Sequence, residues 1–406
     1  MGNPNAEIVN KSAIMSTDLS SGGKLNPDQA SEFIDKVYDL AGLTGVITTV
    51  KFDNEEKQLD KLDIDERVVY PKSEGVHTGK WSGINTSQVT LTPFRYMTSI
   101  EITDEFIQRN IKKGRITETL LNAFAKKIGN NIEQFAINGD VLGQSQPENL
   151  FVSGGSATDR VKDSLYSQAN GFLRQSDSGH IYDANDGENI SLILGNMINQ
   201  MPSQYKANLS ELRAIMPVNL QTNYQYQLSE RGTVLGDMMK VGSESVKAFG
   251  VPLLSLPLMS NRAIKVKHVT LTGTTPVSLG YKNILASEVW VTSSTLTTGT
   301  AETPKVDTTD YVINSANGTI ARPSSGSSIT SGTTVKVTFL APPEIILTHP
   351  SNLVIAMNTD DMKIERERIP SAQTWKFYIS GSIDVKVLET DAVVKAKNIK
   401  DQLALS

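Results

Sequence analysis

An amphipathic stretch at residues 116–138, ITETLLNAFAKKIGNNIEQFAIN, constrains the fold of this chain more than any other feature. Its apolar residues recur at steps of three or four, which places them on one face of a helix: Ile116, Leu120, Phe124, Ile128, Ile132 and Phe135. The opposite face is polar: Lys126, Lys127, Asn130, Asn131 and Glu133. Gly139-Asp140 is a stop signal, so the pattern predicts a helix roughly 35 Å long. Such a helix is either an ordinary core helix or a spine with a sheet on one side, and the spacing fits both.

The composition is that of a folded protein, and it shows neither cysteine-based sites nor membrane-spanning segments. The chain has 406 residues, of which 38% are hydrophobic and 20% are charged, and its net charge is −5. It contains no cysteine, which excludes disulfides, thiolate metal sites and cysteine nucleophiles. No apolar run approaches the length of a membrane span, and the N-terminus lacks a secretory signal pattern. We therefore expect two or three domains, synthesis in a cytoplasm, and no attraction to a membrane.

No catalytic or metal-binding motif stands out in the sequence. The four histidines lie far apart, without metal-ligand spacing: His77, His180, His268 and His349. The sequence contains no G-x-S-x-G elbow, no P-loop and no G-x-G-x-x-G loop after a strand. We expect no catalytic, cofactor-binding or metal-binding residues, and a protein that is not an enzyme.

Two strand-like regions flank a polar tip in the first part of the chain. Residues 1–45 are predicted to form a polar arm with one short helix at Asn26–Gly42. Strand composition follows in three segments: Val46–Phe52, Arg67–Tyr70 and Val89–Ile102. They predict a long two-stranded hairpin within residues 46–104, which needs a partner surface because an isolated hairpin is marginally stable. A plain surface loop is the alternative.

The predicted secondary structure changes twice along the rest of the chain. Residues 105–159 contain the long helix, and residues 160–265 alternate helix and strand patterns, which predicts helices packed on a sheet. Residues 266–340 are short β-rich runs between turns, and they predict an inserted small sandwich or barrel. Its expected strands are Val266–Val269, Val289–Val291, Tyr311–Ile313 and Val335–Val337. Residues 341–406 return to strand patterns, at Ile345–Leu347, at Leu353–Ala356 and in further segments after them, and these strands are expected to complete a sheet.

This order of parts resembles the major capsid protein of tailed bacteriophages, which has the Hong Kong 97 fold. Three segments carry the local likeness: LNPDQASEFIDKVYDLAGLTGVITTVKFDNEEKQLDKLDI, ELRAIMPVNLQTNYQYQLSERG and the segment Glu344–Ile399. The resemblance implies an α+β fold with an N-terminal arm, an extended E-loop hairpin, a spine helix at 116–138 and an apical α/β domain. The insertion at 266–340 resembles the immunoglobulin-like domains that some phage structural proteins carry.

The resemblance also implies a structural function. Members of this family assemble as pentamers and hexamers into an icosahedral shell around packaged DNA. We therefore expect this chain to bind its own copies and to enclose DNA without sequence preference. Only 24 residues precede the segment that begins at Leu25 and contains the first predicted helix, which favours a separate scaffolding protein. A portal and decoration proteins are further expected partners, and the expected location is the virion capsid, assembled in the cytoplasm of a bacterial host.

Two sets of residues are predicted to contact neighbouring copies. The first lies in the polar tip of the hairpin: Lys72, Lys80 and Trp81. The second is an alternating run of charges: Glu365, Arg366, Glu367 and Arg368. This run is either a solvated edge or a source of ion pairs between copies, since mixed charge can fix the register of identical surfaces. Some family members crosslink a lysine to an asparagine, but nothing in the sequence identifies an asparagine partner for these lysines.

Two other functions stay open at the level of sequence. An encapsulin-like compartment shell would have the same fold and would enclose enzymes. A surface adhesin or carbohydrate-binding protein would act through residues 266–340. Assembly into particles would separate the two shells from the adhesin, and enclosed nucleic acid would separate the phage shell from the compartment.

Overall fold

A computed structural model describes most of the chain. The described residues are 43, 45–52, 57–64, 84–105, 116–141, 165–166, 168–230, 246–293, 305 and 307–400. The predicted helix at Asn26–Gly42, the predicted strand at Arg67–Tyr70 and the polar hairpin tip lie outside these residues.

The described residues are rich in strands and contain few helices. The strands are β1 (Thr48–Phe52), β2 (Lys57–Ile64), β3 (Ile84–Leu91), β4 (Phe94–Thr103), β5 (His180–Asp183), β6 (Arg213–Pro217), β7 (Lys247–Ala248), β8 (Val251–Leu256), β9 (Ala263–Leu271), β10 (Val277–Ser278), β11 (Val289–Ser293), β12 (Val312–Asn314), β13 (Thr319–Ala321), β14 (Thr333–Ala341), β15 (Ile345–Thr348), β16 (Leu353–Ile369), β17 (Thr374–Val387) and β18 (Val394–Lys397). The α-helices are α1 (Ile116–Asn138), α2 (Phe172–Gln175), α3 (Ile190–Gln200) and α4 (Val218–Ser229). A 3₁₀ turn at Ser176–Ser178 follows α2.

The chain divides into two compact units. Among the described residues, the first unit comprises those within 49–122 and 355–384. The second comprises those within 123–354 and 385–400, together with 43 and 45–48.

The first unit contains a four-stranded sheet and a separate two-stranded ribbon. The sheet has the order β1-β16-β17-β4, and β17 pairs antiparallel with β4 from Thr374↔Thr103 to Ile383↔Phe94. Exposure alternates along β4, as expected for a strand with one covered face. Phe52, Leu91 and Ala356 form a small buried cluster in this unit. The strand predicted at Leu353–Ala356 is longer than expected, because it is the start of β16, which runs for 17 residues, and β17 runs for 14 residues.

Helix α1 spans the predicted residues 116–138, so the helix prediction is confirmed. The assignment of its faces was partly wrong, because Glu133 is buried at 2% exposure although it was expected on the polar face. The Glu133 carboxylate accepts a hydrogen bond of 3.1 Å from the backbone N–H of Leu43. A partner 90 residues away in sequence therefore accounts for the buried charge.

The core of the second unit is a six-stranded sheet with helices α3 and α4 packed on it. The strand order is β5-β18-β15-β6-β8-β7, with both parallel and antiparallel pairs. Helix α3, strand β6 and helix α4 confirm the alternation of helix and strand predicted within residues 160–265. The side chain of Leu192 in α3 is 56% exposed.

Residues 263–341 form a distinct β-rich part of the second unit, which we call the β-module. Its six strands make two antiparallel three-stranded sheets, β11-β14-β9 and β10-β13-β12. One hydrophobic cluster holds residues of both sheets, including Val269, Val337 and Ile320. The turn at Asn317-Gly318 joins β12 to β13, in which Asn314 pairs with Thr319. A Cβ on Gly318 would lie 1.5 Å from the Tyr281 carbonyl oxygen, which explains why the turn requires glycine.

Candidate assembly surfaces

The two-stranded ribbon of β2 and β3 has no third strand among the described residues. The strands pair antiparallel over eight positions, from Lys57↔Leu91 to Ile64↔Ile84. The first strand of the hairpin therefore begins about ten residues before the predicted Arg67–Tyr70 segment. A ribbon of two strands is marginally stable in water unless another surface covers it. Lys72, Lys80 and Trp81 belong to the segment between the two strands and lie outside the described residues.

The predicted charged run lies at the end of β16, beside Trp375 of β17. Arg366 and Arg368 are two positions apart and share one face of the strand. Their guanidinium carbons lie 5.0 and 5.6 Å from the centroid of the Trp375 ring. Arg368 also donates a hydrogen bond of 3.1 Å to the carboxylate of Asp104. The two arginines thus stack on an aromatic face within their own subunit.

The glutamates of the run have different surroundings. Glu365 and Glu367 are exposed, and Glu367 accepts a hydrogen bond of 3.4 Å from the Tyr378 hydroxyl. In the sheet order, β16 lies between β1 and β17. The exposed pair of Arg368 with Asp104 contributes at most about 1 kcal/mol to folding. Contact of this run with neighbouring copies stays a prediction.

A buried cluster of charged side chains lies in the second unit, and it was not predicted from the sequence. The Lys395 ammonium lies 2.7 Å from one oxygen of Glu344 and 2.7 Å from one oxygen of Asp177. It also donates a hydrogen bond of 2.9 Å to the Leu173 carbonyl. The second Glu344 oxygen lies 3.1 Å from the ammonium of Lys265. Lys395 and Glu344 are 0% and 1% exposed, so neither charge is compensated by water.

The cluster keeps its charges because each buried ion faces an opposite one. Burial alone would raise the pKa of Glu344, but the ammonium groups of Lys265 and Lys395 outweigh burial and lower this pKa to about 2. Burial raises the pKa of Tyr281 well above its usual value, and the charges of Glu344 and Asp177 raise it further. Tyr281 therefore stays protonated and donates a hydrogen bond of 2.8 Å to Glu344.

The titration of Glu344 predicts an acid-sensitive contribution to stability. The pKa of this side chain is about 2 in the folded chain and about 4.5 without its partners. The stabilisation is therefore fully present above pH 4.5 and is lost as the pH falls toward 2. We expect the Glu344→Gln variant to be less stable than the wild type at pH 7. We also expect it to lose less stability than the wild type as the pH falls from 4.5 toward 2. Urea denaturation between pH 7 and 2.5 measures both slopes, and parallel curves would contradict the prediction.

A loop of the β-module docks on β18 and β5 next to this cluster. Lys397 donates a hydrogen bond of 2.9 Å to the Gly280 carbonyl, and its ammonium lies 5.6 Å from the Tyr281 ring centroid. The backbone N–H of Lys282 donates to the Asn398 side chain over 2.7 Å. The Lys282 ammonium lies 3.1 Å from Asp183, and Asn398 donates to the same carboxylate over 2.6 Å. These contacts and the buried cluster join the β-module to the six-stranded sheet.

Two lysines of the cluster stand out in the sequence once the structure is known. Lys265 and Lys395 each stand inside apolar strand segments, AIKVKHV and AVVKAKNI, where a charge has to be paired if it is buried. The segments are 130 residues apart, so the pairing itself could not be inferred from local pattern. Within the described ranges, no group of three or more His, Asp or Glu side chains is arranged to hold a metal ion. No helix in the same part of the chain is long and apolar enough to cross a membrane.

Comparison with known proteins gives one curated relative and a structural neighbour of the whole chain. No family model matches the sequence. The relative is a Bacillus subtilis (strain 168) protein named "Putative prophage capsid protein YqbE". It is 26% identical over 294 residues, which cover 70% of this chain and 88% of the relative.

The structural neighbour is a chain of the satellite phage P4 procapsid including size determination (Sid) protein. It has a TM-score of 0.55 and 11% sequence identity, and the match covers 98% of both chains. The chain has the fold of a phage capsid protein. The mixed α+β, sheet-rich structure described above matches the fold of that capsid chain. This match confirms the resemblance inferred from the sequence.

Proposed function

We propose that this chain is the major capsid protein of a tailed phage or prophage. Many copies would assemble as pentamers and hexamers into an icosahedral shell that encloses phage DNA. The observation that carries the proposal is the 26% identity to the B. subtilis relative across most of both chains, and the capsid fold of the whole chain supports it. The role is structural rather than enzymatic. The prophage name of the relative favours a viral shell over a cellular compartment.

The parts of the fold take defined roles under this proposal. Helix α1 is the spine, the β2–β3 ribbon is the base of the E-loop, and the six-stranded sheet with α3 and α4 is the apical domain. The β-module is an immunoglobulin-like insertion, which two packed antiparallel sheets around one core support. Residues 1–45 are the N-terminal arm. Scaffolding, portal and decoration proteins are the proposed partners, and the mature location is the virion.

The hairpin provides the most direct test of a shell function. Deleting residues 72–83 keeps both paired strands of the ribbon and removes only the predicted contact tip. We expect this variant to be soluble and folded but unable to form particles, because the tip would no longer reach a neighbouring copy. Sedimentation of the purified protein, with circular dichroism as the test of folding, measures the effect.

A matched variant separates the side chains of the tip from its length. It replaces residues 72–83 with a glycine-serine segment of the same length. If the tip residues make contacts between copies, this variant also fails to assemble. Particles of normal size from both variants would show that the hairpin tip has no role in assembly.

A further inference from the structure

The sequence contains three Asn-Gly pairs, at Asn138-Gly139, Asn170-Gly171 and Asn317-Gly318. An asparagine in such a pair loses ammonia when the backbone nitrogen of the glycine attacks the carbon of the side-chain amide. Glycine favours this ring closure because it has no Cβ to obstruct the approach. The reaction needs a backbone nitrogen and a side-chain amide that are both free to move, so the surroundings of each pair decide whether it occurs.

Two of the pairs are held in place at the end of α1. The Gly139 N–H donates a hydrogen bond of 2.8 Å to the Phe135 carbonyl, and the Gly171 N–H donates one of 2.8 Å to the Gly139 carbonyl. The Asn138 residue is 8% exposed, and its side chain donates hydrogen bonds of 3.1 and 3.2 Å to two backbone carbonyls. The Asn170 side chain accepts a hydrogen bond of 3.0 Å from a backbone N–H. Ring closure at either pair requires these bonds to break first.

The third pair lies in the turn between β12 and β13 and is not restrained in this way. Asn317 is exposed, and Gly318 follows it with a φ of +59°. The Asn317 backbone N–H donates a hydrogen bond of 3.1 Å to the Asn314 side chain. Within the part of the chain that the structure describes, neither the Asn317 side chain nor the Gly318 N–H has a hydrogen-bond partner. The reacting nitrogen and the reacting amide are therefore both free.

We propose that Asn317 is a site of spontaneous deamidation and that the product loosens the attachment of the β-module to the six-stranded sheet. In the first step the Gly318 nitrogen forms a bond to Cγ of Asn317, the bond from Cγ to Nδ2 breaks, and ammonia leaves with the amide proton. Water then opens the succinimide ring at one of its two carbonyls, which returns a proton to the nitrogen and gives aspartate or isoaspartate. Water is the only other reactant. The inference does not depend on the proposed shell function.

The turn between β12 and β13 holds the loop by which the β-module docks. The Gly318 carbonyl accepts a hydrogen bond of 2.8 Å from the Leu279 N–H, and the Ser315 carbonyl accepts one of 3.2 Å from the Ile284 N–H. These two bonds fix both ends of residues 279–284, which we call the Tyr281 loop. A change in the turn is therefore transmitted to the Tyr281 loop.

Isoaspartate at position 317 lengthens this turn. Its main chain includes the former side-chain Cβ, so one additional bond of roughly 1.5 Å enters between positions 317 and 318. The backbone at Gly318 has no room for this, because even a Cβ there would collide with the Tyr281 carbonyl. The longer turn displaces the Tyr281 loop, which donates hydrogen bonds to Glu344 and Asn398. These bonds are part of the docking contact, so their loss loosens it.

Incubation of the full chain at mildly alkaline pH tests the reaction at all three pairs in one sample. Peptide mass spectrometry measures deamidation, since exchange of ammonia for water raises the peptide mass, and an isoaspartate methyltransferase identifies isoaspartate. We expect position 317 to react roughly 100-fold faster than positions 138 and 170, which react only after local unfolding. In urea the three pairs should react at similar rates, because the fold no longer distinguishes them.

Hydrogen exchange of the incubated protein tests the consequence for docking. The Lys282 N–H donates to the Asn398 side chain, so we expect its exchange to become about tenfold faster as isoaspartate accumulates. The matched control is Asn317→Gln, whose longer side chain disfavours ring closure. This variant loses no side-chain hydrogen bond to the described residues, and its Lys282 exchange should stay slow throughout the incubation.

The two parts of the inference have separate contradicting results. Equal rates at the three pairs in the folded chain, or an unmodified Asn317 after prolonged incubation, would overturn the reaction. Deamidation at position 317 with unchanged exchange at Lys282 would overturn its effect on docking. Faster exchange in the Asn317→Gln variant would also overturn that effect, because the loosening would have another cause. All of these results leave the shell function untouched, since imaging of particles measures it independently.

Discussion

Replacing Lys395 with methionine will lower the free energy of unfolding by roughly 3–5 kcal/mol, because it leaves buried charges without their partner. The Lys395 ammonium contacts the carboxylates of both Glu344 and Asp177 at 2.7 Å. Without it, Glu344 keeps only Lys265 and the Tyr281 hydroxyl as partners among the residues of this cluster. The loss in the free energy of unfolding should be largest at pH 7, where Glu344 is ionised.

Urea denaturation of the full chain at pH 7 measures this loss. The matched control is Lys400→Met, which removes an ion pair of 3.4 Å with Asp186 whose side chains are 40% and 67% exposed. The control should change stability by less than about 1 kcal/mol, since exposed pairs contribute little. Equal effects of the two substitutions would show that the buried cluster does not stabilise the second unit.

Gly171→Val is expected to lower the free energy of unfolding by about 3 kcal/mol, because it adds bulk where two backbone segments touch. A Cβ on Gly171 would lie 2.7 Å from the Ala136 carbonyl oxygen and 2.7 Å from the Gly139 nitrogen. These atoms belong to the C-terminal end of α1, and the Gly171 N–H donates a hydrogen bond of 2.8 Å to the Gly139 carbonyl. Backbone atoms cannot rotate away as a flexible side chain can, so the helix end has to shift.

A second glycine provides the control for this prediction. Gly45 has nothing within 4 Å of an added Cβ and does not have a positive φ. Gly45→Ala should therefore be neutral or slightly stabilising, by less than about 1 kcal/mol, because it restricts the unfolded chain. Thermal unfolding of both variants provides the comparison, and a Gly171→Val protein as stable as the wild type would contradict the close packing at the end of α1.

The long periodic elements could be predicted from the sequence because their signals are local. The apolar steps from Ile116 to Phe135 and the stop at Gly139 gave the bounds of α1. The structure adds a reason for glycine at 139: its φ is not positive, but a Cβ there would lie 2.7 Å from the Ala169 carbonyl oxygen. Helix α3 likewise ends before Pro202, which cannot continue it.

Features that depend on distant partners could not be predicted. Glu133 follows the polar pattern of its helix but is buried against the backbone of Leu43. The pairing of Lys57–Ile64 with β3 could not be predicted, because register depends on which strand is available and not on composition alone. Lys395 and Asp177 are 218 residues apart in sequence, and no local pattern indicates their ion pair.

In the charged run, too, the local pattern could be predicted from the sequence and the contacts between strands could not. The charged run at Glu365–Arg368 was visible as a pattern, but stacking of two of its arginines on Trp375 requires the pairing of β16 with β17.

Imaging of particles tests the central claim most directly. The full chain, purified after expression alone and together with a scaffolding protein from a neighbouring gene, should be examined by negative-stain electron microscopy. We expect closed shells of uniform size built from pentamers and hexamers of this chain. A compact monomer at every concentration, with and without the scaffold, would contradict it.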